Sequence, residues 1–213
     1  RNICILYGEF RSIGLPGFMD SNSVQKELLM PGSAFNRYGG YRNLRGECTG
    51  YFHLEKLKGH WWLIDPEGCT FLTLGVNHMD PNALKYEDNV HIWREKYDSS
   101  LKNWCKGVAR DMKDWGFNTI SWTEEMVASD FRHSPDWTYE MYQWADIPYV
   151  HKLPMLEIES WNPRAYYPDL KGEEFEQWCD FVARSACVDM ADDPKCIGYS
   201  LSARPDWFRL LEQ

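Results

Sequence analysis

The stretch Gly59–His78, GHWWLIDPEGCTFLTLGVNH, decides how the chain is read. Immediately before it, YFHLEKL (51–57) and a Lys58-Gly59 turn pair with HWWLID as a β-hairpin, because two apolar-rich runs flank a two-residue turn. The Pro66-Glu67-Gly68 segment then makes a second tight turn. It leads into CTFLTLGVNH, an apolar run that stops abruptly on Asn77 and His78. An antiparallel element therefore feeds the first strand of something larger. The two polar residues mark where that strand meets its loop.

Working outward, the pattern becomes an alternation. DSSLKNWCKGVARDMKDWG (98–116) carries Leu101, Trp104, Val108, Met112 and Trp115 at helical spacing, with Asp98 or Ser99 as N-cap and Gly116 as C-cap. FNTISW (117–122) reads as a short buried strand and EEMVASDFRH (124–133) as a short helix. IPYVHKLPMLEIES (147–160) contains the next strand. GEEFEQWCDFVARSACVDMA (172–191) is a helix with Phe175, Trp178, Val182 and Ala186 inward, and CIGYSLS (196–202) is a fourth strand. Strand and helix in turn predict an α/β fold with a parallel sheet wrapped by helices. Residues 1–50 show no period and recurrent Gly, Pro, Ser and Asn, so they are expected to be an irregular segment ahead of a unit spanning 51–213.

Parallel sheets carry function at the carboxyl ends of their strands. That rule selects Asn77 and His78 after the first strand, Trp122, Thr123 and Glu124 after the second, Glu157 and Glu159 at the third, and Ser202, Ala203 and Arg204 after the fourth. Four polar clusters would converge on one cleft.

Composition excludes several classes. A formal net charge of −9 with no Lys/Arg stripe argues against nucleic-acid binding. No apolar run reaches the ~20 residues needed to span a bilayer, so no membrane partner is expected. The start, RNICILYGEFRSIGLPGF, has no n-region and h-region of a signal peptide. Seven cysteines without a C-x-x-C spacing suggest neither a zinc site nor a disulfide framework, and mildly favour a reducing compartment. No G-x-S-x-G, H-E-x-x-H, P-loop or G-x-G-x-x-G occurs, so no cofactor and no metal is expected. Eleven Trp are well above ordinary usage; Trp and Tyr stack on sugar rings, but core packing is the commoner use of any single one.

Three blocks resemble the catalytic barrel of β-agarase-type glycoside hydrolases. GHWWLIDPEGCTFLTLGVNH is similar to their G-R-W-W-L-x-D-P-x-G hairpin and F-x-x-x-G-V-N first strand. DMKDWGFNTISWTEE (111–125) resembles their L-K-x-W-G-F-N-T unit. DDPKCIGYSLSARPDW (192–207) resembles the D-P-x-x-I-G-Y-F segment before the fourth strand. The resemblance covers roughly residues 50–207. It implies a (β/α) barrel of TIM type, eight-stranded when complete, of which about four βα units and an N-terminal hairpin extension are present. It also implies a galactan or related oligo- or polysaccharide as partner. A half barrel leaves open strand edges, so the chain is expected to be part of a longer one or to be completed by a partner such as a second copy.

Glycoside hydrolysis needs two carboxyl groups across the scissile bond. The candidates for the acid are Glu157, Glu159 and Asp206. The first two stand two apart and share a strand face, unless the segment is already a solvated loop. Glu124 is a cleft candidate, with a helix start as the other reading. Asn77, His78 and Trp122 are candidate sugar-binding residues. The resembled family carries Asn-Glu after its fourth strand, whereas this chain has Ser202-Ala203-Arg204-Pro205-Asp206. Arg204 suits a carboxylate or sulfate on a modified sugar. The same departure suits a carbohydrate-binding or assembly subunit that has lost the acid.

Overall fold

The computed structural model describes residues 34–123, 127–128, 132–133, 136–155 and 169–201. Two four-stranded sheets organise them. The antiparallel sheet contains β1 (Tyr41–Arg45), β2 (His53–Leu57), β3 (His60–Ile64) and β4 (Cys69–Phe71), in the order β1-β4-β3-β2. The parallel sheet contains β5 (Gly75–Val76), β6 (Thr119–Ile120), β9 (Tyr149–Leu153) and β10 (Cys196–Leu201), in the order β10-β9-β6-β5. Between β6 and β9 lie two short antiparallel strands, β7 (Val127–Ala128) and β8 (Arg132–His133). Among the described residues four α-helices accompany the sheets, α1 (Val90–Tyr97), α2 (Leu101–Asp114), α3 (Tyr139–Ala145) and α4 (Glu173–Cys187), with a 3-10 turn at Asn82–Lys85. The described residues therefore form an α/β fold with one parallel and one antiparallel four-stranded sheet and a two-stranded antiparallel pair.

The expected hairpin forms, with His53 to Leu57 paired to Ile64 to His60. Lys58 and Gly59 both take positive φ, 50° and 88°. Turns of that hand match the right-handed twist of the flanking strands. At the second turn Asp65, fully buried, does the holding. Its Oδ1 accepts from the Glu67 and Cys69 amides, each at 2.9 Å, and its Oδ2 accepts from Asn36 Nδ2 at 2.6 Å.

The apolar run that looked like one strand serves both sheets. Cys69–Phe71 pairs antiparallel with β3, and Gly75–Val76 pairs parallel with β6. Asn118 fixes the crossing between them. Its Nδ2 donates to Leu72 O at 2.9 Å and its Oδ1 accepts from Leu74 N at 2.8 Å. One amide side chain thus satisfies backbone groups that belong to neither ladder.

Other expectations shift in detail. Tyr41–Arg45, within the segment expected to be irregular, is a strand paired with β4 across an irregular register. The periodicity of α1 went unread, although Trp93 and Tyr97 stand one turn apart and are buried. Asp98 and Ser99 take φ of 54° and 52° and close α1, so the N-cap of α2 is Ser100, whose side chain accepts from Asn103 N. The buried positions of α2 are Trp104, Cys105, Ala109 and Met112. Trp115 is 71% exposed because the helix ends at Asp114 and Gly116, at φ +86°, turns the chain away. The expected helix at 124–133 is not found: its described residues are the strands β7 and β8. Val127 pairs with His133 and Ala128 with Arg132, and β-branched Val127 suits a strand better than a helix. In α4, Val182 is buried and Phe175, Trp178 and Ala186 are half-buried, as the spacing predicts.

Two apolar clusters result. One lies between the parallel sheet and the helices and contains Ile120, Tyr149, Trp104, Met112, Trp137 and Tyr142. Tyr142 stacks on Tyr149 with centroids 3.8 Å apart and rings 10° from parallel. Tyr149 OH donates to Asp193 Oδ2 at 3.0 Å, and Gln143 Nε2 donates to the same oxygen at 2.6 Å. The second cluster joins Tyr38, Phe52 and Phe71 of the antiparallel layer to Val150 and Ile197 of the parallel sheet.

Candidate functional site

The parallel sheet has an outer face toward the helices and an inner face toward the antiparallel layer. Val76, Ile120, Tyr149 and Tyr199 belong to the helix-side cluster. Successive strand residues alternate in direction, so Gly75, Thr119, Ser121, Val150, Lys152 and Ser200 take the inner face. Register agrees, because Gly198 pairs with Val150, Ser200 with Lys152 and Gly75 with Thr119. Gly75 is needed there: a Cβ at its position would stand 2.6 Å from Ser121 Oγ.

Along this inner face the chemistry changes. Val150 and Ile197 pack on Tyr38, Phe52 and Phe71, which seals the end where the strands begin. Toward the carboxyl ends the same face turns polar, with Ser121, Thr123, Lys152 and Ser200. Thr123 is 4% exposed and its Oγ1 has no hydrogen-bond partner. Buried hydroxyls are normally satisfied, so this one stands out among the described residues.

At the strand ends the structure brings two of the sequence-predicted residues together. His78 N donates to Trp122 O at 3.3 Å, extending the β5–β6 pairing by one bond. The two rings meet edge to face, with centroids 4.6 Å apart and planes at 74°. His78 has φ 53°, a left-handed conformation uncommon outside glycine. That reversal ends the strand and leaves Asn77 and His78 exposed, with Trp122 half-buried beside them. An exposed ring edge beside an indole is a surface on which a sugar ring can stack. Glu124, Glu157, Glu159, Arg204 and Asp206 lie outside the described residues.

The strand-end rule had selected Thr123, whereas Lys152 was not among the sequence candidates. A Lys inside the apolar YVHKL strand was the available signal. His151, its neighbour, points the other way: Tyr142 OH lies 3.2 Å from His151 Nδ1, against α3. Burial depresses its pKa to about 4, which keeps the imidazole neutral and structural. Burial likewise pushes the Cys105 thiol up to about 12 and Cys196 up to about 11, so neither is a ready nucleophile. Among the described residues no cluster of three His, Cys, Asp or Glu side chains is arranged to hold a metal ion. No described helix is long and apolar enough to cross a membrane.

No protein-family model matches the chain. Beta-agarase B of Vibrio sp. (strain JT0107) is 27% identical over 126 residues, which are 58% of this chain and 12% of that enzyme. Among solved structures, BpGH50 superposes with a TM-score of 0.62 at 16% identity, over 92% of this chain and 42% of that one. The agarase AgWH50C gives 0.56 at 16% identity, over 91% and 36%. An exo-β-agarase gives 0.54 at 14% identity, over 89% and 37%. The chain thus spans less than half the length of each of these proteins. Over the part that it covers, it is similar in sequence to the Vibrio enzyme and in fold to the agarase structures, and is in that sense β-agarase-like.

Proposed function

We propose that the chain supplies the first four units of a (β/α)8 barrel of TIM type that hydrolyses a galactan, agarose or a close relative. The unit begins at the hairpin near residue 51, with residues 1–50 ahead of it. The observation that carries the reading is the meeting of His78 and Trp122 at the carboxyl ends of adjacent parallel strands. Barrel enzymes build their sites at that end, and the agarase structures that share the fold support the same substrate class.

In this reading Trp122 stacks on a sugar ring, while Asn77 and His78 hydrogen-bond its hydroxyls. Glu124 and Arg204 contribute further contacts from the loops after the second and fourth strands. Glu157, Glu159 or Asp206 supplies the general acid, and a later part of the barrel supplies its carboxylate partner. A separation of about 5–5.5 Å between the two gives retention, and about 6.5–9.5 Å gives inversion. The test is release of reducing ends from agarose by the intact protein. Alanine at Glu157, Glu159 and Asp206 together abolishes it; undiminished hydrolysis by that triple variant rejects the assignment.

Ser202-Ala203-Arg204, standing where the resembled family has Asn-Glu, favours a second reading. In it the chain is a carbohydrate-binding or assembly subunit without the acid. Such a protein is retarded by agarose in affinity electrophoresis yet releases no reducing ends on long incubation.

A further inference from the structure

The helices α1 and α2 enclose a cavity of about 240 Å3, lined by Lys96, Tyr97, Asn103, Lys106, Gly107 and Arg110. No strand-end residue lines it, so it is separate from the cleft described above. Its floor is set by a close approach of the two helices. A Cβ at Gly107 would stand 2.8 Å from Tyr97 Cε1, and Asn103 Nδ2 donates to Tyr97 O at 3.3 Å. The walls are cationic. Lys96 Nζ lies 3.1 Å from Asp111 Oδ2, and Arg110 Nη2 lies 3.6 Å from Asp111 Oδ1. Lys106 makes no ion pair among the described residues. Three cations thus share one carboxylate, which leaves a surplus of positive charge even when Asp111 is counted in full. Lys106 and Arg110 also stand one turn apart on α2, where like charges repel and weaken a helix. An anion between them turns that repulsion into attraction. The whole protein carries a net charge of −9, so a cationic hollow in it is a local attractor for anions. Ammonium and guanidinium groups only donate hydrogen bonds, and the guanidinium fork matches two oxygens of one oxyanion.

We propose that the cavity between α1 and α2 binds a tetrahedral oxyanion such as a sulfate group, free or esterified to a sugar. Lys106 and Arg110 are its principal contacts, with Lys96 beside them. The cavity is larger than a bare ion needs and has room for a small group carried on the oxyanion. The inference does not depend on hydrolysis or on sugar binding at the strand ends.

The test is calorimetric titration of the intact protein at low salt with galactose 6-sulfate, galactose and inorganic sulfate. The wild type binds galactose 6-sulfate about tenfold more tightly than galactose, and the difference shrinks as salt is raised. The double variant Lys106→Gln/Arg110→Gln loses that preference. Both side chains are exposed, so it keeps the fold, which a thermal melt checks. A control, Lys56→Gln/Lys171→Gln, makes the same change in net charge at two exposed positions outside the cavity and keeps the preference. Inorganic sulfate bound as tightly as the ester assigns the cavity to the free ion; tighter binding of the ester assigns it to the sugar-borne group. A wild type that binds no sulfate and does not distinguish galactose 6-sulfate from galactose overturns the inference. So does a preference that survives in the cavity variant, or one lost equally in the control.

Discussion

The two ends of the parallel sheet are built on different principles. Where the strands begin, buried polar side chains are saturated. Asp65 accepts three hydrogen bonds, Asn118 bridges Leu72 and Leu74, and Asp193 accepts from Tyr149, Gln143 and the Lys195 amide. Where the strands end, Asn77 and His78 are exposed, His78 takes a left-handed backbone conformation, and the buried Thr123 hydroxyl has no hydrogen-bond partner. A saturated polar group contributes to holding one structure. An unsatisfied buried one costs stability and keeps its hydrogen-bonding capacity for something else. The first end is scaffold, and on the proposed carbohydrate reading the second is where the ligand binds.

Substitutions test that division. The largest effect is expected at Asp65: Asp65→Ala strands two amides and Asn36 in a buried turn and costs about 3–4 kcal/mol in denaturant unfolding. A cost below about 1 kcal/mol would mean the turn holds itself. Next is His151. Its folded pKa, about 4, lies below the ordinary 6.5 because burial disfavours the cation. The unfolded chain therefore binds more protons between those values. Stability is intact above pH 6.5, falls as pH drops toward 4, and loses about 3 kcal/mol in all. His151→Gln flattens that part of the pH–stability curve; an unchanged curve would place the titration in another group.

Asn118→Ala leaves Leu72 O and Leu74 N without their partner and costs about 2 kcal/mol. The Asp65 and Asn118 variants belong to the scaffold end and should leave sugar affinity per folded molecule unchanged. Trp122→Ala reverses the pattern, with about tenfold weaker oligosaccharide binding and a stability loss near 1 kcal/mol. If stability falls several-fold further while binding holds, Trp122 is core. The smallest effect is that of His78→Gly. It relieves the left-handed strain, raising stability by up to about 1 kcal/mol, while binding weakens. Thermal melts and calorimetric titration of the same sample separate the two.

This division also explains what was legible. Asp65, Asn118 and Asp193 sit within the D-P-x-G, G-F-N-T and D-P-x-x-I-G-Y blocks, so the recognisable motifs are scaffold clamps. They revealed the alternation, the hairpin and the strand ends, and they do not by themselves carry an activity. The hairpin was readable because its register follows from a two-residue turn. The split of Cys69–Val76 between two sheets was not, because nothing local distinguishes Leu72 from its apolar neighbours; the divider is an amide more than forty residues away. The strands β7 and β8 were missed because ten residues hold too few turns of either period to decide between them. Of the site, His78 and Trp122 followed from the strand-end rule.

The Asn118 bridge has a consequence for the order in which the structure can assemble. The hairpin closes over two residues and can form as soon as residue 64 is available. The two-residue β5 has no such local partner. Its flanking backbone is held by a side chain 44 and 46 positions later, and its ladder by Thr119 and Ile120. Pairings of that separation are slow to find. On a ribosome, the first strand of the parallel sheet must wait, unpaired, while α1 and α2 emerge, and only the arrival of Asn118 fixes where the hairpin stops and the sheet begins.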